Sequence, residues 1–117
     1  MEKENKVSIW IGKSNSENDF QKYLKENYTD DGDFSSIFMN DFNIDYYDNQ
    51  FKEVLFKENS SKKEVLKDFS YSENFIEKIT GVNWEVNNSF VLLYNFEYDK
   101  TSLKSEVLNF VGVFDYR

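Results

Sequence analysis

Carboxylates are the most abundant groups in this sequence able to hold a metal ion or move a proton, and they are dense in residues 28–48, YTDDGDFSSIFMNDFNIDYYD. Six aspartates and six aromatic residues stand there without one Lys or Arg. Three uses fit such a stretch: a cation site, a solvated face beside a buried core, or a surface made for a basic partner.

The calcium-loop use fails on spacing. With Gly32 as the sixth loop position, the first and third are Asn27 and Thr29, and the twelfth, which needs a bidentate Glu, is Phe38. A looser Mg²⁺ or Ca²⁺ cluster of Asp30, Asp31 and Asp33 stays open, although turns favour Asp for their own backbone chemistry. Glycosidase chemistry needs two carboxylates at a set separation in a sugar-binding cleft, and 22 acidic residues supply a pair by chance. With no His and no Cys, zinc sites, disulfides and Ser–His or Cys–His catalysis are excluded. No residue pattern calls for a cofactor, and folding is expected to need none.

The net charge is −8, the pI is about 4.5, and the only arginine is Arg117. Binding nucleic acid through a basic face is therefore not expected. MEKENKVSIW has no apolar signal region, and no stretch approaches the roughly 18 apolar residues of a membrane span, so a cytoplasmic protein is expected.

The elements that must position these residues follow from periodicity. A chain of 117 residues fits one domain, here residues 7–117 after a flexible tail over 1–6, with a core built mainly from rings: 12 Phe, 8 Tyr and 2 Trp. VSIWIG, residues 7–12, alternates as a strand. Ser16 caps a helix over 17–27 whose Phe20, Tyr23 and Leu24 share a face. Ser61 caps a short helix carrying Val65, Leu66 and Phe69 inward, and Ser72 another carrying Phe75, Ile76 and Ile79 up to Gly81. Phe90, Leu92, Tyr94, Phe96 and Tyr98 alternate on one run, and Leu108, Phe110, Gly112, Phe114 and Tyr116 on the next. Two such runs predict an antiparallel C-terminal β-hairpin pairing 90–99 with 107–116. The predicted class is α+β: a small antiparallel β-sheet with helices packed on one face.

Within the acidic stretch, Phe34, Phe38 and Phe42 step by four, so a short helix would bury the rings and present its polar side. If that phase persisted, Asp41, Asp45 and Asp48 would share a face, unless Asn43 breaks the helix in a left-handed turn. Tyr46 and Tyr47 would point to opposite faces of a strand, leaving at least one near the surface as an interface anchor. Trp10 and Trp84 adjoin hydrophobic runs and are expected in the core.

VSIWIG at Val7, DDGD at Asp30, DFNIDYYD from Asp41, SYSENFI from Ser70, LLYNFEYD from Leu92 and the closing FVGVFDY together resemble the Immunity protein 22 family. The resemblance spans nearly the whole chain after residue 6 and lies in the order and spacing of the strings. A glycine is usual where this chain has Asn43, a departure that suits the left-handed turn. The resemblance implies a bacterial immunity protein encoded beside a secreted polymorphic toxin, often a nuclease, which it neutralises in a tight complex without catalysis of its own. No family motif fixes the contact residues.

An acidic surface suits a basic toxin domain that must itself hold nucleic acid. The expected contact residues are Asp30, Asp31, Asp33, Asp41, Asp45 and Asp48, with Tyr46 or Tyr47 as anchor. The rival readings are a small carboxylate-based metal-binding protein or enzyme, and a general acidic interaction adaptor.

Overall fold

The structure, a computed structural model, describes residues 2–117. In chain order it comprises β1 (Glu2–Gly12), α1 (Glu17–Leu24), β2 (Asn27–Tyr28), β3 (Phe34–Ser35), α2 (Ile37–Asp41), β4 (Lys52–Phe56), α3 (Lys62–Leu66), β5 (Ser89–Phe96) and β6 (Leu108–Asp115), with short 3₁₀ turns between them. The class is α+β, as expected. Four strands form an antiparallel sheet in the order β4-β5-β1-β6, and β2 with β3 makes a separate two-stranded ribbon.

The expected C-terminal hairpin does not form. β1 lies between β5 and β6 and pairs with both, placing Ile9 opposite Leu92 on one side and Gly112 on the other. The reason lies in burial. Every residue of β1 from Val7 to Gly12 and of β5 from Ser89 to Tyr94 is buried, so these two strands need neighbours at both edges and cover on both faces. β6, mostly half-buried, takes the edge instead and runs parallel to β5, so residues 97–107 carry the chain from the Glu2 end of β1 back to its Gly12 end, with Tyr98 packed over Trp10.

Helices accordingly cover both faces, correcting the expectation of one. Trp10, Val91 and Leu93 pack with Phe20, Tyr23, Phe38 and Phe42 from the α1 and α2 side. Val7, Ile9, Ile11, Phe90 and Leu92 pack with Val65, Leu66, Phe75 and Ile79 from the α3 side. The two alternating sets in the C-terminal runs also change face midway. Asn95 takes φ 56, after which Phe96 and Tyr98 join the Trp10 cluster, whereas Phe90, Leu92 and Tyr94 belong to the other. In β6 the register shifts between Ile9 and Trp10, which sends Leu108 and Phe110 to the Trp10 side and Phe114 and Tyr116 to the opposite one.

The Ser16 and Ser61 caps form as expected, whereas Ser72 makes no capping hydrogen bond. Ser16 accepts from the Asp19 N–H at 3.0 Å, and Ser61 forms a reciprocal capping box with Glu64. α1 stops at Leu24, short of the expected Asn27, which opens β2 instead. The Ser72 helix is two 3₁₀ turns entered through Tyr71 at φ 59, with Phe75 and Ile79 buried as expected. Of the expected flexible tail, Met1 lies outside the described residues. Residues 2–6 lie in β1, with Glu2 opposite Phe96 and Lys6 opposite Asp115. Trp10 and Trp84 are both buried. Among the described residues, no helix is long and apolar enough to cross a membrane.

Candidate partner-binding surface

The acidic stretch folds as a ribbon, a one-turn helix and an extended arm. In the ribbon the Thr29 N–H donates to Asp33 O at 2.8 Å and the Gly32 N–H to Thr29 O at 3.0 Å. Gly32 takes φ 87, a conformation that favours glycine. Asp30, Asp31 and Asp33 are therefore carried, exposed, on the tip of a β-turn. Among the described residues, no three carboxylates converge as a metal site requires.

α2 begins only at Ile37, because Ser36 caps it by accepting from the Met39 N–H at 3.1 Å. Phe34 sits in β3, yet Phe34, Phe38 and Phe42 are all buried as the spacing indicated. The helix ends at Asp41, and Asn43 takes the left-handed turn at φ 56. The helical phase is thus lost, and Asp41, Asp45 and Asp48 do not share one helix face. Asp41 is engaged by the Tyr23 hydroxyl, which donates to it at 2.9 Å. Burial, helped by the hydrogen bond to Asp41 and opposed by the one with Ser105, holds that hydroxyl protonated well above the ordinary tyrosine range. Asp48 caps the turn 49–51 by accepting from the Gln50 N–H at 3.0 Å. Asp45 is exposed.

The adjacent tyrosines split between surface and core. Tyr47 is 3% exposed and belongs to the Trp10 cluster, so it is not an available contact. Its hydroxyl donates to Glu26. Tyr46 is 63% exposed, its ring 5.6 Å from that of Phe34. Phe34 also meets Tyr28, itself 59% exposed, at 5.4 Å. An aromatic ridge of Tyr28, Phe34 and Tyr46 therefore joins the base of the acidic ribbon to the arm bearing Asp45 and Asp48. Tyr28 and the part-exposed Phe51 were not singled out from sequence. The only sequence signal for either is that it borders the aspartate run.

Glu26 anchors this region from beneath. It accepts from Tyr28 at 3.1 Å, from Asn49 at 3.3 Å and from Lys52 at 2.7 Å as well as from Tyr47. Burial opposes its charge, but the hydrogen bonds from Lys52, Tyr47 and Asn49, with the ammonium's field, outweigh that and hold the carboxyl below its ordinary range. Lys52, the basic residue that closes the stretch, is thereby neutralised internally. Its charge does not offset the aspartates outside.

The chain belongs to the Immunity protein 22 family, whose sequence pattern it matches over residues 7–117. Its role is that of an immunity protein, and the family implies a cognate toxin as partner. No curated protein and no solved structure matches it.

Proposed function

We propose that the protein binds the toxin of a bacterial polymorphic toxin system, in the cytoplasm of the cell that makes both, and neutralises it in a tight complex with no catalysis of its own. The toxin is a basic domain, of the kind that handles nucleic acid. The contact surface is the acidic ribbon and arm, Asp30, Asp31, Asp33, Asp45 and Asp48, with Tyr46 as the anchor and Asp41 at the margin.

The observation that carries this reading is the exposed Tyr46 ring set among aspartates that take part in none of the ion pairs found among the described residues. Tyr is favoured at interface hot spots because it buries a large ring at low entropic cost. Unpaired surface carboxylates steer a basic partner in from a distance. The test is co-expression of this chain with the toxin encoded beside its gene. Growth rescue and a stable 1:1 complex are expected, whereas a toxin that stays active and unbound would overturn the reading.

A further inference from the structure

Two grooves open beside Tyr46. The first, of about 350 Å³, is lined by the buried Ile44, Phe96 and Tyr98 and by the exposed Glu2, Asp45 and Asp99. Its lining residues include one cation, Lys100. The second, of about 200 Å³, is lined by Tyr47, Phe51 and Tyr94 with Asn95 and Asp48. Tyr46, Glu2 and Phe96 border both, so the two grooves adjoin at these residues, with the exposed Tyr46 ring among them.

Glu2 and Asp99 come from outside the acidic stretch. β1 brings Glu2 opposite Phe96, and Asp99 follows just after the end of β5. The four carboxylates Glu2, Asp45, Asp48 and Asp99 take part in no ion pair among the described residues. Glu2 and Asp99 join Asp45 and Asp48 there without a local sequence signal.

We infer that these grooves receive a basic polypeptide segment of the toxin that straddles Tyr46, with an Arg or Lys side chain entering on each side of the ring. This rests on the immunity reading above and specifies its partner. Charge selects the occupant: four carboxylates against Lys100 repel an acidic segment or a second copy of this chain, which carries −8. Shape selects it too, because two shallow grooves that adjoin at an exposed ring suit a chain draped across the ring. The apolar floor of Ile44, Phe96 and Tyr98 accommodates the methylene stems of long basic side chains, while their charged ends reach the carboxylates. The Tyr46 face adds a cation–π partner for a guanidinium, which stacks on rings better than an ammonium does. The Asp30–Asp33 turn carries three exposed carboxylates and lines neither of these grooves, so it serves as an internal control.

The test is amide chemical-shift titration of the isotope-labelled full chain with the peptides Gly-Arg-Gly-Arg-Gly, Gly-Lys-Gly-Lys-Gly and Gly-Glu-Gly-Glu-Gly. Saturable shifts are expected at Asp45, Tyr46, Phe96 and Asp99 with the arginine peptide, weaker with lysine and absent with glutamate, and lost in Tyr46→Ala. Shifts as large at Asp30, Asp31 and Asp33, or shifts unchanged in Tyr46→Ala, would overturn the proposal. A second arm measures the neighbouring gene's toxin domain against the Glu2→Gln/Asp99→Asn variant, whose exposed positions leave folding intact. A loss in affinity of about tenfold or more is expected for two charge contacts removed. Unchanged affinity there overturns the groove assignment while the immunity reading stands. Failure of the wild type to bind that toxin would instead sink the immunity reading, leaving the peptide titration to decide the groove.

Discussion

Lys52 Nζ lies 2.7 Å from Glu26 Oε2, joining the first residue of β4 to the segment between α1 and β2 with both side chains mostly out of solvent. The Tyr47 hydroxyl donates to the same carboxylate, so the buried neighbour of Tyr46 is fixed by this pair. The surface and the core therefore share one electrostatic support.

That support gives a pH dependence. The folded Glu26 carboxyl is held below its ordinary range, so its stabilisation is complete above the unfolded value of about 4.3 and is lost as pH falls through the folded value. Lys52→Met is expected to destabilise the protein at pH 7 by about 1–3 kcal/mol, since it leaves a mostly buried carboxylate short of a partner. It is also expected to move the acid-unfolding midpoint to higher pH. Denaturant unfolding between pH 3 and 7 measures both, and an unchanged acid midpoint would show that the pair carries no linkage.

Tyr46 and Tyr47 separate binding from folding. Tyr47→Ala removes a ring from the Trp10 cluster and is expected to cost about 3–5 kcal/mol of stability. Tyr46→Ala is expected to cost about 1 kcal/mol or less, the value of its ring contact with Phe34. Thermal unfolding of the two variants decides this, and equal losses would mean that Tyr46 is a structural residue.

Gly12 is set by space. A Cβ there would stand 1.8 Å from Val107 O, and the Lys13 N–H donates to that same carbonyl at 3.0 Å. Gly12→Ala must therefore displace the start of β6 and is expected to cost about 1–3 kcal/mol, as overpacking does. Gly32→Ala meets no atom within 4 Å but must hold φ 87, costing about 1–2 kcal/mol through backbone strain alone. Amide exchange tells them apart: faster exchange at the start of β6 is expected for Gly12→Ala only, and native-like exchange there would contradict the close approach.

What the sequence made legible was local. Ser16 and Ser61 mark helix starts because their hydroxyls satisfy N–H groups within the next turn, while the same role of Ser36 was missed and the helix was expected to start at Phe34. Asn43 marked the end of α2 because it tolerates the left-handed region. Strand pairing was not local: the alternation in β5 and β6 is equally compatible with pairing each other or pairing β1. The deciding fact is that β5 is apolar on both faces, so it belongs in the middle of a covered sheet. The face changes at Asn95 and in β6 depend on irregularities that a strict two-residue period hides. In the site, the aspartate run and Tyr46 were visible as composition, while Glu2 and Asp99 joined them only through the β1–β5 pairing. Tyr47 looked equivalent to Tyr46 because nothing in the sequence announced Glu26 as its partner.

The most direct measurement is association kinetics between this chain and the toxin encoded beside its gene, at low and physiological salt. Wild type is compared with a variant carrying Asn at 30, 31, 33, 41, 45 and 48, and with Tyr46→Ala. Steering by the acidic surface is expected to give association at about 10⁸–10⁹ M⁻¹s⁻¹ at low salt, falling toward about 10⁵–10⁶ when the aspartates are neutralised or salt is raised. Tyr46→Ala is expected to leave the on-rate nearly unchanged and to raise the off-rate by an amount worth about 2 kcal/mol or more. If the folded six-Asn variant associates as fast as wild type with the same salt dependence, and Tyr46→Ala dissociates no faster, the toxin is held by another surface.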